Sequence, residues 1–163
     1  MRRTRRWMGL TCLIVAVAWT EAGISAGSGG STVVLIGLDG FHPSYLERPH
    51  SRHLRELARA GARARSLVPV FPTLTFPNFY TMATGLYPEH HGIVSNTMVD
   101  SSLGRFTLRD RAAMGDPRWW GGEPIWVTAI RQGKRAATFF WPGSDVAIGG
   151  VLPTWYKVFD KRI

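Results

Sequence analysis

Two groups in this chain have surroundings that could make them reactive. Thr75 stands in Phe71-Pro-Thr-Leu-Thr-Phe-Pro-Asn-Phe-Tyr-Thr-Met-Ala-Thr-Gly85, one residue before Phe76-Pro77. Proline suits the opening turn of a helix, and a helical pattern then runs through Tyr80 and Met82 to a stop at Gly85. The hydroxyl therefore falls at a helix N-terminus, where unpaired N–H groups and the macrodipole favour negative charge. An alkoxide, or a phosphate attached to it, is stabilised there. The competing use of a threonine at this position is a simple N-cap. The second group is Asp39, which closes the run Ser31-Thr-Val-Val-Leu-Ile-Gly-Leu-Asp-Gly40. Apolar β-branched runs of this kind read as buried strands of a parallel sheet, and ligands in such sheets bind outside the carboxyl ends of the strands. By itself a strand-terminal aspartate serves as well in a cap or turn. Taken together, Asp39 and Thr75 suggest a metal-bound hydroxyl nucleophile, because a cation between carboxylate and hydroxyl makes the hydroxyl ionisable near neutral pH.

Elements that could position these groups alternate in the α/β manner. A strand is expected at Val33–Leu38, a helix at Ser51–Ala60 ending at Gly61, and a strand at Ala64–Val68 leading into the Thr75 loop and its helix. The chain from Pro88 to Gly122 is irregular, with a hairpin candidate around Met98–Leu108. Glu123-Pro124 opens a further helix that stops at Gly133, and Ala136–Trp141 reads as a strand. Leu54, Leu57 and Ala58 mark the apolar side of the 51–60 helix. Its arginines, with Arg63 and Arg65, read as a solvated face rather than a nucleic-acid surface.

The blocks Leu38-Asp-Gly-Phe41, Pro72-Thr-Leu-Thr-Phe-Pro-Asn78 and Thr84-Gly-Leu-Tyr-Pro-Glu-His-His-Gly-Ile-Val-Ser-Asn96 occur in that order. Gly122-Glu-Pro-Ile-Trp-Val-Thr128 and Thr138-Phe-Phe-Trp-Pro-Gly-Ser-Asp145 follow. With these blocks the chain resembles the nucleotide pyrophosphatase/phosphodiesterase family of the alkaline-phosphatase superfamily, from about Val33 to the last residue. The resemblance implies an α/β fold with an alkaline-phosphatase-like, mostly parallel sheet flanked by helices, incomplete in this chain. It also implies two zinc ions and attack on phosphorus by a threonine, giving a phospho-threonine intermediate.

Carried over residue by residue, the resemblance makes Thr75 the nucleophile and a ligand of one zinc. Asp39 ligates the same ion, and Asn96 donates a hydrogen bond to a non-bridging phosphate oxygen. Phe76 packs against a nucleobase, Trp141, Pro142 and Leu108 line the nucleoside pocket, and Phe159 stands where animal members stack a tyrosine on the base. Trp119 and Trp126 read as core aromatics, and Trp141 suits either role. Leu74 departs from the pattern, replacing a lysine of the animal members. The pair His90-His91 belongs to a turn away from the metals. The further ligands, an Asp-x-x-x-His, an Asp-His and another histidine, are missing, because no histidine follows His91. One zinc would have two protein ligands and the other none, whereas zinc sites use three or four. This chain alone is expected to be weakly active or inactive, and to read as the N-terminal portion of a longer catalytic domain.

Arg2, Arg3, Arg5 and Arg6 followed by an apolar run from Met8 to Trp19 form a signal-peptide pattern over residues 1–26, with an uncleaved anchor as the alternative. Residues 27–30 are a glycine-serine tether, and residues 31–163 are the catalytic portion. The only cysteine is Cys12, so the mature chain has none and cannot rely on disulfides. Animal members of the family are disulfide-rich, so the resemblance implies a bacterial relative, periplasmic or secreted. The formal charge is +9; without residues 1–26 it is +6, from 16 basic and 10 acidic side chains, which favours anionic substrates. The expected partner is a nucleotide or another phosphodiester small molecule, without specific nucleic-acid binding and without a stable membrane span. Two alternatives remain: a choline-phospholipid or phosphonate-type diesterase on the same scaffold, and an inactive nucleotide-binding remnant.

Overall fold

A computed structural model describes residues 31–160. The readings for residues 1–26 and 27–30 lie outside the described residues. Helix α1 spans Arg52–Ala60, α2 Thr75–Thr84 and α3 Pro88–His91. A hairpin of β1 (Thr97–Asp100) and β2 (Gly104–Thr107) follows, then α4 (Arg111–Gly115) and α5 (Ile125–Arg131). Strand β3 (Ala137–Phe139) pairs in parallel with β4 (Trp155–Lys157). The hairpin, the α1, α2 and α5 helices and β3 follow the sequence pattern to within a few residues. Helix α2 stops where expected, because Gly85 takes the left-handed conformation (φ 71°) that terminates helices without a Cβ penalty.

Two expected strands do not form. Residues 33–38 and 64–68 have no ladder partner among the described residues, and a strand is stable only when its N–H and C=O groups are paired. Their apolar side chains stay in solvent: Val33 is 86% exposed and Val68 84%. Leu57 on α1 is likewise exposed, so the apolar side expected for that helix is only half realised. Nor is its arginine face wholly solvated, since Arg55 donates to the carbonyls of Leu46 and Arg48 at 2.7 and 2.6 Å and fastens the preceding 3₁₀ turn to the helix. The short α3, α4 and β4 carry too few residues to show a period in the sequence.

The core lies under α2. Tyr80 and Ala83 on its inner face meet Ile93, Phe106, Trp119, Trp120, Trp126 and Val127, all buried. Trp119 and Trp126 are core residues, as their sequence context suggests. Aromatic rings meet edge to face, Tyr80 on Trp120 with centroids 5.0 Å apart and Phe106 on Trp119 at 5.6 Å. The register of the hairpin follows from this packing. Met98 opposes Phe106 on the face turned to the core, which leaves Thr97, Thr107 and Arg105 on the other face.

Candidate active site

Thr75 is the first residue of α2, and Leu74 occupies the cap position without a side-chain cap bond. The hydroxyl is thus free of capping duty. Its Oγ1 donates instead to Asp39 Oδ2 at 3.0 Å, joining groups 36 residues apart in sequence. Asp39 is exposed at a turn that ends with Gly40, and Thr75 is half-buried, so the pair is open to a ligand.

Asn96 reaches the same helix end from the segment before the hairpin. Its Oδ1 accepts from the Phe76 N–H at 3.0 Å, one of the donors left unpaired at a helix start. With the oxygen so engaged, the Nδ2 donors form the free end of the amide. Phe76 contacts the core on one side, 6.1 Å between ring centroids from both Phe106 and Trp120, and lines a cavity on the other.

That cavity, of about 550 Å³, is walled by Asp39, Thr75, Phe76, Leu108, Trp141, Pro142 and Phe159. Seven of the eight expected site residues therefore share one space, and Asn96 borders an adjoining one that shares Leu108 and Arg109 with it. Trp141 is held by a hydrogen bond from Nε1 to the Phe79 carbonyl at 3.1 Å. Phe159, 60% exposed, meets Phe140 edge on at 5.4 Å. The loop bearing Trp141 and Pro142 lies tight on the core. A Cβ at Gly143 (φ 79°) would come within 2.6 Å of the Trp120 ring, so only glycine fits there.

Several contributors escaped sequence reasoning. Phe140 adopts φ 58°, rare for an aromatic residue, and turns the chain at the end of β3 into the cavity wall. Arg109, Arg111 and Lys157 bring positive charge to the lining, against the carboxylates of Asp39 and Asp145. Arg111 pairs with Asp145 at 3.2 Å, and Asp110 caps α4 by accepting from the N–H groups of Ala112 and Ala113. Asn78 pins the loop before Thr75. Its Oδ1 accepts from Val70 N–H at 2.8 Å, while Nδ2 faces the carbonyls of Val70, Pro72 and Leu74 at 3.3, 3.1 and 2.9 Å. Its place in Thr75-Phe-Pro-Asn78 was the one available signal, and spacing alone gives it no role.

His91 is fully buried, with Nδ1 accepting from Ile93 N–H at 3.1 Å and Nε2 against Thr81 Oγ1 at 3.0 Å. Both ring nitrogens of His91, the last residue of α3, are engaged in the core. Burial holds its pKa below the ordinary value. No group of three or more His, Cys, Asp or Glu side chains that could hold a metal occurs among the described residues. Asp39 and Thr75 supply two oxygen donors, fewer than a protein zinc site uses, so the residues of this chain do not by themselves fit the ion.

The fold is α/β and alkaline-phosphatase-like. The murine ectonucleotide pyrophosphatase/phosphodiesterase 5, solved as an inactive form in complex with AMP, aligns with a TM-score of 0.71 at 35% identity, covering 77% of this chain and 34% of that one. The chain belongs to the type I phosphodiesterase / nucleotide pyrophosphatase family, whose model matches residues 33–163. Bovine ectonucleotide pyrophosphatase/phosphodiesterase family member 3 (Bos taurus) is 43% identical over 133 residues, 80% of this chain and 15% of the relative. Venom phosphodiesterase CdcPDE of Crotalus durissus collilineatus is 48% identical over 141 residues, 85% of this chain and 17% of the relative. The chain thus spans less than a fifth of the length of these two relatives. They are vertebrate proteins and lend nothing to the bacterial origin expected from the missing cysteines. No described helix is long and apolar enough to cross a membrane.

Proposed function

We propose that this chain carries the nucleophile and base-binding part of an enzyme that hydrolyses phosphodiester or pyrophosphate bonds in nucleotides. The observation that carries the reading is the Thr75 Oγ1 to Asp39 Oδ2 hydrogen bond at 3.0 Å, on the wall of a cavity lined by Phe76, Trp141 and Phe159. The base lies among these aromatic faces, where stacking is worth roughly 1–3 kcal/mol per base. That a family neighbour was solved with AMP supports this choice of ligand. Thr75 Oγ then forms a bond to phosphorus as the bond from phosphorus to the leaving oxygen breaks. The hydroxyl proton passes through solvent to the leaving group, and the nucleoside monophosphate stays esterified to Thr75 as a phospho-threonine that water hydrolyses. Asp39 orients the hydroxyl, and the macrodipole of α2 favours the charge gathered on the phosphate. The Asn96 amide, fixed by Phe76 N–H, offers its free Nδ2 to a phosphate oxygen.

Zinc belongs to this reading through the family resemblance, with Asp39 and Thr75 as the ligands this chain provides. Because two donors do not complete a site, the 163-residue chain alone turns over weakly or not at all. Incubation with a nitrophenyl nucleotide ester and zinc, followed by mass spectrometry, tests the assignment. A nucleoside monophosphoryl group retained on Thr75 and absent from Thr75→Ala supports it; robust turnover unaffected by Thr75→Ala overturns it. The incomplete donor set also favours a second reading, a nucleotide-binding remnant, in which AMP binds equally with and without zinc. A choline-phospholipid substrate is disfavoured by Arg109 and Lys157 in the cavity wall. Asp39 and Asp145 also line it, with Asp145 paired to Arg111, so the charge that meets a cationic head group is a small positive excess. Cleavage of nitrophenyl phosphocholine as fast as of a nucleotide ester would reverse that preference. The signal pattern of residues 1–26 supports export, which N-terminal sequencing of the secreted protein would test.

A further inference from the structure

The cavity of about 540 Å³ beside Asn96 has no part in the reading above. It is lined by Asn96, Thr97, Arg105, Thr107, Leu108 and Arg109. The strand register explains its character: Phe106 and Met98 turn into the core, so the alternate residues Thr97, Arg105 and Thr107 must turn out together. Two guanidinium groups and two hydroxyls thus face one space, and no carboxylate lines it. Among the described residues neither Arg105 nor Arg109 forms an ion pair, unlike Arg111 with Asp145. Two unneutralised guanidiniums together favour an anion and match phosphate oxygens in particular, because their planar donors can bind two oxygens at once. The position is informative as well. Leu108 and Arg109 form a wall common to this cavity and the one holding Thr75, and Asn96 ties its rim to the α2 N-terminus through Phe76 N–H.

We propose that this cavity is a second anion subsite, which binds a phosphate carried by the leaving half of the substrate. This inference rests on the nucleotide reading: the nucleoside half occupies the aromatic cavity, so the remaining half extends elsewhere. It selects substrates with a further phosphate beyond the one attacked, either a polyphosphate tail or the next phosphate of an oligonucleotide.

Calorimetry on the whole chain, without added metal, tests it with AMP, α,β-methylene ATP, a 5′-phosphorylated dinucleotide and inorganic pyrophosphate. The methylene ATP is expected to bind about tenfold more tightly than AMP. Arg105→Gln closes that gap and leaves AMP unchanged, while Arg105→Lys keeps most of it. Arg105 is exposed, so neither change disturbs the core. Whichever of the methylene ATP and the dinucleotide loses more affinity in Arg105→Gln identifies the source of the phosphate. A gap absent from the wild type, or unchanged in Arg105→Gln, overturns the subsite. If AMP fails to bind but pyrophosphate still does, and Arg105→Gln abolishes it, the nucleotide reading falls and the anion subsite stands.

Discussion

Helix α2 and the segments that flank the site all carry apolar side chains and meet opposite fates. On α2, Tyr80 is fully buried, its ring against Trp120 and its hydroxyl donating to the Gly121 carbonyl at 3.0 Å. In residues 64–71, Leu67 and Phe71 are 78% and 89% exposed, and in residues 33–38 Ile36 is 68% exposed. The difference lies in partners. A helix satisfies its own backbone and needs only one packed face, whereas an extended segment needs a neighbour for every second N–H and C=O. The proposed catalytic pair spans the two regimes: Thr75 opens the packed helix and Asp39 ends an unpaired run. Thr75 is thus held by the helix that packs on the core, and Asp39 by one hydrogen bond and a turn.

Breaking the packed side carries the largest effect. Tyr80→Ala removes a buried ring and should cost about 3–5 kcal/mol in chemical denaturation. Next comes Asn78→Ala, which strips the loop before Thr75 of its side-chain bonds. About 1–3 kcal/mol of stability is expected to go, together with AMP affinity. Phe159→Ala sharpens the contrast from the site: AMP affinity falls by roughly 1–3 kcal/mol by titration. Its unfolding midpoint stays put, because the ring is largely in solvent. A parallel loss of stability would mean that Phe159 belongs to the core.

The pH dependence reports on the packed side too. The native pKa of His91 is lowered by burial, so the unfolded chain takes up a proton before the folded one does. Stability is therefore full above the ordinary histidine pKa near 6.5 and declines as pH falls through it towards the lower native value. Denaturation between pH 8 and 5 should show this fall, and His91→Gln should flatten it. The smallest effect is expected from Leu67→Ala, within about 0.5 kcal/mol, as for other exposed positions. A cost comparable to that of Tyr80→Ala would show that the 64–68 segment is packed after all, and the comparison would fail.

Much of the site was legible before any coordinates. Thr75 before Phe76-Pro77 fixes a hydroxyl at a helix start, because proline geometry and helical spacing are local properties. The blocks around Asp39, Asn96 and Trp141 carried the family resemblance, and seven of the eight residues it named share one cavity. The basic lining from Arg109, Arg111 and Lys157 was not legible, since it depends on loops that fold back over long separations. Nor was the role of Asn78, whose bonds to Val70, Pro72 and Leu74 depend on the course of one loop. Nor could the sequence tell that residues 33–38 would lack a ladder, because strand formation depends on a neighbour as much as on β-branched composition.

By itself the sequence determined which residues are chemically able, where α2 begins and ends, and to which family the chain belongs. These follow from dihedral preference, periodicity and motif order, all short-range features of a chain. Only the tertiary structure decided that the Thr75 hydroxyl turns to Asp39 rather than capping its own helix, and that Asn96 spends its oxygen on Phe76 N–H. It also gathered Arg105 and Arg109 around one space. The first two of these join segments 36 and 20 residues apart in sequence. Burial is non-directional and collective, so no local pattern encodes which distant groups it will join.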